Sequence, residues 1–88
     1  MRATRWRGRV VDADGVPAAR ARVTIVAATV PMPEIALLTG PDGRFELELP
    51  EGCFRLRAHA AGEVGEVEVR VEGDAVGGDL VIGLREDS

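Results

Sequence analysis

Apolar and polar residues alternate along most of this chain. In "RFELELP", Phe45, Leu47 and Leu49 fall on one side and Glu46 and Glu48 on the other, the period-two pattern of a half-buried β-strand. "RWRGRVV" sets Trp6, Gly8 and Val10 against Arg5, Arg7 and Arg9, and "RARVTIVA" turns Ala21, Val23, Ile25 and Ala27 inward. "EIALLT" is apolar on both faces through Ile35, Leu37 and Leu38. "CFRLRAHA" buries Phe54, Leu56, Ala58 and Ala60, "EVEVRVE" buries Val67, Val69 and Val71, and "DLVIGLR" closes with Leu80, Ile82 and Leu84. No segment carries a 3.6-residue period, so the pattern predicts an all-β protein: a seven-stranded antiparallel β-sandwich.

The breaks between strands share a design. "DADG" at 12–15, "GPDG" at 40–43 and "LPEG" at 49–52 each place an acid before a glycine, and two of them place proline one step earlier. Proline presets φ at the second turn position, the acid suits the third, and glycine takes the left-handed fourth. The recipe predicts type I turns with a glycine bulge joining strands as hairpins. Asp42 in "TGPDGRF" is therefore read as a turn former rather than a ligand.

The 88 residues suffice for one domain with a thin core. Lysine, asparagine, glutamine and tyrosine are absent, and all eleven basic residues are arginines. That removes Schiff-base chemistry, a P-loop lysine and phenolic acid–base groups. Cys53 is the sole cysteine, so no internal disulfide forms. The net charge of −4 conceals a division: residues 1–22 carry six arginines against Asp12 and Asp14, whereas the remainder is strongly acidic. An acidic chain with three aromatic residues does not read as a nucleic-acid binder. The N-terminus lacks the apolar core of a secretory signal and no run is long enough for a membrane span, so the expected location is cytoplasmic, or exported without a cleaved signal.

Three ordered blocks carry a resemblance. Gly8, Val10, Asp12, Gly15, Pro17, Ala21 and Val23 form the first, Thr39, Asp42, Gly43 and Phe45 the second, and Pro50, Gly52, Phe54 and Leu56 the third. Together they resemble the carboxypeptidase regulatory-like domain, a transthyretin- or prealbumin-like module, which implies Greek-key sandwich topology. The matched positions are turn formers and core, so they speak for the fold and not for a chemistry. Hydroxyisourate hydrolases of similar fold carry an early histidine and a C-terminal Y-R-G-S motif. Here the one histidine is His59 and tyrosine is absent. Adhesin domains of similar fold form lysine–asparagine isopeptide bonds, for which neither residue is available. The resemblance leaves a non-catalytic interaction or structural module that docks on a larger protein assembly. Carbohydrate or other ligand binding is one alternative, and a tip or adaptor subunit of a secretion-spike complex is another. No cofactor is implied, the partner is another protein, and a homo-oligomer is compatible with the reading.

Candidate site residues fall in three groups. Asp12, Asp14, Asp42 and Glu63 are expected to crowd one end of the sandwich, where a cation would need six to eight oxygen ligands. No loop has EF-hand spacing, and turn aspartates ordinarily bind backbone amides, so no metal is assigned. Val30, Pro31, Met32 and Pro33 lie in "ATVPMPEIALL", an extended loop with two apolar side chains. Two readings stand: a docking patch, or a lid folded over the core. Arg5, Arg7 and Arg9 share one strand face and are expected either to meet an acidic partner or, on an edge strand, to discourage edge-to-edge pairing. His59 and Cys53 share a strand face six residues apart, too far to act together, and both are read as surface side chains.

Overall fold

A computed structural model describes residues 3–33, 35–74 and 77–86. Its strands are β1 (Ala3–Val11), β2 (Arg22–Ala28), β3 (Ala36–Leu38), β4 (Arg44–Pro50), β5 (Gly52–Ala60), β6 (Glu63–Val71), β7 (Gly78–Gly83) and β8 (Arg85–Glu86). They form two sheets, one ordered β4-β1-β7 and the other β3-β2-β5-β6-β8. The sandwich is the expected one, since each alternating segment turns its apolar set inward. Val10, Val23, Leu49, Leu56 and Ile82 are fully enclosed, and Phe45 and Phe54 are buried beside them.

Three features depart from the pattern. The seventh segment divides at Leu84, whose side chain is buried and whose N–H donates to the Val11 carbonyl at 2.8 Å. β7 lies in one sheet, and β8 pairs with β6 in the other. Secondly, β7 runs parallel to β1 while every other pairing is antiparallel. Thirdly, a bulge between Ile25 and Ala27 resets the register of β2 on β5, so Ala27 pairs with Arg55 and is exposed instead of inward. An inserted residue in a period-two strand moves all that follows to the opposite face.

The glycine turns have a different task from the one expected. Gly15 and Gly43 hold φ of 82° and 75°, and each N–H closes a four-residue turn onto the carbonyl of Asp12 or Gly40 at 3.0 and 2.9 Å. Neither turn is a hairpin between neighbours, because β1 and β2 lie in different sheets, as do β3 and β4. The third, at 49–52, is not this turn: Pro50 ends β4, Gly52 has φ of 148° and begins β5, and the chain crosses between sheets at Glu51. Counting β6 to β7 and β7 to β8, the chain changes sheet five times.

Thr39 ties these crossings together. It is 3% exposed, its hydroxyl donates to the Ala18 carbonyl at 2.7 Å, and the same oxygen accepts from Ala21 N–H at 2.8 Å. Its own N–H reaches the Ala21 carbonyl, and its carbonyl accepts from Arg20 N–H. The threonine before the "GPDG" turn thus pins the loop that enters β2. Over Gly8 the fit is equally close. The Phe45 ring occupies the space that a Cβ at Gly8 would fill, well inside contact distance.

Two stability tests follow from these contacts. Thr39→Val leaves Ala21 N–H and Ala18 C=O buried without the hydroxyl. It is expected to lose about 1–3 kcal/mol in denaturant unfolding, while Thr39→Ser keeps most of the stability. Gly8→Ala drives a methyl into the Phe45 ring and is expected to cost about 1–3 kcal/mol. A Phe45→Leu change in the same chain should recover part of that loss, which a double-mutant cycle measures.

Candidate functional site

The three groups read from sequence meet different fates in the fold. At the turn end, Asp12 Oδ1 accepts from the N–H groups of Asp14 and Val16, both at 2.9 Å. Asp42 Oδ1 accepts from Arg44 N–H at 3.1 Å, and its second oxygen lies 3.5 Å from the Arg44 guanidinium. Glu63 is half-buried at the start of β6. The three loops do share one end of the sandwich, since Arg9 pairs with Arg44 and Arg22 with His59. Even so, among the described residues no three His, Cys, Asp or Glu side chains converge. The Asp12 and Asp42 carboxylates are occupied in shaping their own turns.

In the Val30–Pro33 loop, Val30 and Met32 are half-buried and pack against the core, while Pro31 and Pro33 stand exposed. Thr29 fastens the loop to β5: its N–H donates to the Cys53 carbonyl, and its hydroxyl accepts from Cys53 N–H. The two apolar side chains thus close the end of the sandwich.

Arg5, Arg7 and Arg9 are exposed, yet the expected edge location is corrected. β1 is the central strand of its sheet, paired on both sides, because β7 arrives alongside it from the opposite sheet. Arg5 faces Glu48 and Arg7 faces Glu46 across β4, with ion-pair distances of 3.6 and 3.7 Å. Such exposed pairs add little stability, but they occupy the charges. Arg9 differs. Its neighbour on β4 is Arg44, its neighbour on β7 is Val81, and no described residue forms an ion pair with it. Like charges directly opposite on a sheet are unfavourable. A shallow depression opens here, whose lining includes Arg7, Arg9, Arg44, Glu46, Asp79 and Val81.

On the outer face of the larger sheet, β5 and β6 pair their charges across the ladder. Arg55 binds Glu68 at 2.8 Å, and Arg57 Nε donates to Glu66 at 2.6 Å. The hydrogen bond to Glu68, followed by the charges of Glu68 and Glu66, raises the Arg55 pKa above its ordinary value. Cys53 and His59 are exposed at separate places on β5.

What sequence reasoning missed is the state of the strand edges. Sheet edges left open invite pairing with another chain and are ordinarily blunted. β3 has three residues and follows two prolines; β8 covers β6 only at Glu63 and Val64, and beyond them β6 sets Glu66, Glu68 and Arg70 along its outer face; β4 sets Arg44, Glu46 and Glu48 along its outer face before ending at Pro50. β7 has six residues, one charge on its outer face at Asp79, and Val81 half-exposed at 50%. Its side away from β1 has no strand partner among the described residues. The exposed valine was visible in the sequence, but its position on an outside strand was not.

Comparison with known proteins places this geometry in context. No curated protein matches the chain. Among solved structures, the crystal structure of a DUF3823 family protein from Parabacteroides merdae is similar, with a TM-score of 0.68 at 18% identity over 96% of this chain. The match takes in 46% of that protein, so this chain spans less than half its length, and the likeness is one of fold. The sequence model of the carboxypeptidase regulatory-like domain matches residues 6–82, from Trp6 in β1 to Ile82 in β7. With the match covering both sheets and the turn and core residues that build them, the chain belongs to the carboxypeptidase regulatory-like domain family.

Proposed function

We propose that this domain is a non-catalytic interaction module that joins a larger protein assembly by accepting a strand at β7. The observation that carries this reading is the contrast among the four sheet edges. β3 is three residues long after two prolines, though it carries the exposed Leu38, and β4 and the uncovered part of β6 are lined with charge, whereas β7 offers six residues with one charge and a half-exposed valine. Strand addition draws its affinity from main-chain hydrogen bonds and its selectivity from alternate side chains. The family match rests on turn and core positions, and the Asp12 and Asp42 carboxylates are engaged in turns. Sugar recognition finds less support, because Phe45 and Phe54 are buried and Trp6 is half-buried between the sheets, which leaves no aromatic platform.

β7 has a usable chemical polarity. Leu84 N–H bonds to Val11 on β1, so strand alternation turns the peptide groups of the even-numbered residues toward β1. The N–H and C=O of Asp79 and Val81 then face the open side. Val81→Pro removes one donor from that side without removing a bond to β1, and proline is tolerated on an edge strand. Wild type captured from its native cells is expected to bring a partner that protects the Asp79 and Val81 amides from hydrogen exchange, and the proline variant is expected to lose it. A partner retained equally by the folded variant would move the interface away from β7.

A further inference from the structure

The strand that best fits the open side of β7 is β7 itself. This inference rests on the strand-addition reading above and names the occupant of that edge. We propose that β7 pairs antiparallel with β7 of a second copy, in the register that sets Leu80 opposite the partner's Leu80 and Asp79 opposite the partner's Val81. Antiparallel pairing of identical strands is self-complementary about a two-fold axis, so one interface satisfies both copies and closes the assembly at two.

Three observations select this arrangement. The first is the unbalanced cation at Arg9, which meets Arg44 on one side and Val81 on the other. In the proposed register the residue beyond Val81 is the partner's Asp79. Two strand spacings separate the Arg9 Cα from that of the partner's Asp79, roughly 10 Å, a gap that an arginine and an aspartate side chain close over a valine. Within one copy Glu46 and Asp79 stand beside Arg7 and only diagonal to Arg9; the partner's Asp79 adds a carboxylate in the row of Arg9 itself.

The second is parity. Asp79 and Val81 turn their peptide groups outward, so this register makes each Asp79–Val81 pair a hydrogen-bonded one. The inward-facing Leu80, half-buried in one copy, meets its twin across the axis and extends the apolar layer. The third is where the edge stops being open. β6 closes on β7 at Gly83, where a methyl at Gly65 would strike the Gly83 backbone. A register centred on Val81 would need Gly83 free, whereas one centred on Leu80 places its pairs within Gly78–Ile82. The product is a continuous six-stranded sheet, ordered β4-β1-β7 in one copy and the reverse in the next, with both open β7 edges covered.

Val81→Glu tests the register without endangering the fold. Glutamate at this exposed position lies beside Arg9 in its own chain and so gives the cation a partner within one copy. Across the axis it faces the partner's Asp79 and repels it. Sedimentation equilibrium of wild type is expected to show a mass approaching twice 9.4 kDa as concentration rises. Val81→Glu is expected to melt no lower than the wild-type monomer at low concentration, yet to weaken pairing at least tenfold. Val81→Pro, acting on the backbone instead of the charge, is expected to weaken pairing likewise. A wild type that stays monomeric up to about 1 mM would overturn self-pairing. So would variants that pair as wild type does. A monomeric wild type whose Asp79 and Val81 amides are protected by a different protein overturns the self-pairing and leaves strand addition at β7 standing. A Val81→Pro chain that keeps every partner, its own kind included, overturns both.

Discussion

A single apolar layer, built from one inward face of each sheet, has to be reached by a chain that changes sheet five times in fewer than ninety residues. That constraint shapes the rest of the molecule. Each crossing exposes backbone groups that a ladder would otherwise satisfy, and buried ones must find partners. Thr39 supplies those partners at the most crowded crossing, holding Ala18 and Ala21 with one oxygen. The Asp12 and Asp42 carboxylates do the same at the rim, where they accept backbone N–H groups. The acids that suggest a cation site in sequence are consumed by the geometry that brings them together.

The same crossings produce the asymmetry on which the functional reading rests. A chain that hops between sheets leaves more edges than a meander, and among the described residues the edges are β4 and β7 in one sheet and β3 and, beyond Val64, β6 in the other. Three are managed by brevity, proline or charge, and the fourth is not. β7 is also the strand that comes parallel to β1 and converts the arginine strand from an expected edge into a centre. On the other side of β1, Arg5 and Arg7 have carboxylate neighbours on β4, while Arg9, at the end of that row, faces Arg44. The uncovered edge and the unbalanced charge are adjacent because β7 lies beside β1, on the side away from Arg44.

Much of the fold was legible because its determinants are local. Alternation in β1, β4, β5 and β6 fixes which side chains face in, and Gly15 and Gly43 sit at turn positions that call for positive φ. The inward Trp6, the turn role of Asp42 and the outward Cys53 and His59 follow from those rules alone. Where alternation was broken the reading slipped. The extra residue at Val26 in the β2 bulge carries no sequence mark that a propensity would register, and the division at Leu84 lies inside an unbroken alternating run. As for the site, the sequence pointed to the arginine face but could not say which of its three cations forms no ion pair with the described residues.

From the sequence alone came an all-β sandwich of this family, its inward faces outside the β2 bulge and two of its three glycine turns, since period and turn chemistry depend on neighbours a few residues apart. Only the tertiary structure decided which strands lie side by side: that the turns cross between sheets, that β1 is central, that Val30 and Met32 fold against the core, and that β7 is left open. Pairing partners are chosen by contacts between residues tens of positions apart. A period of two is the same whether a strand ends at the centre of a sheet or on its edge.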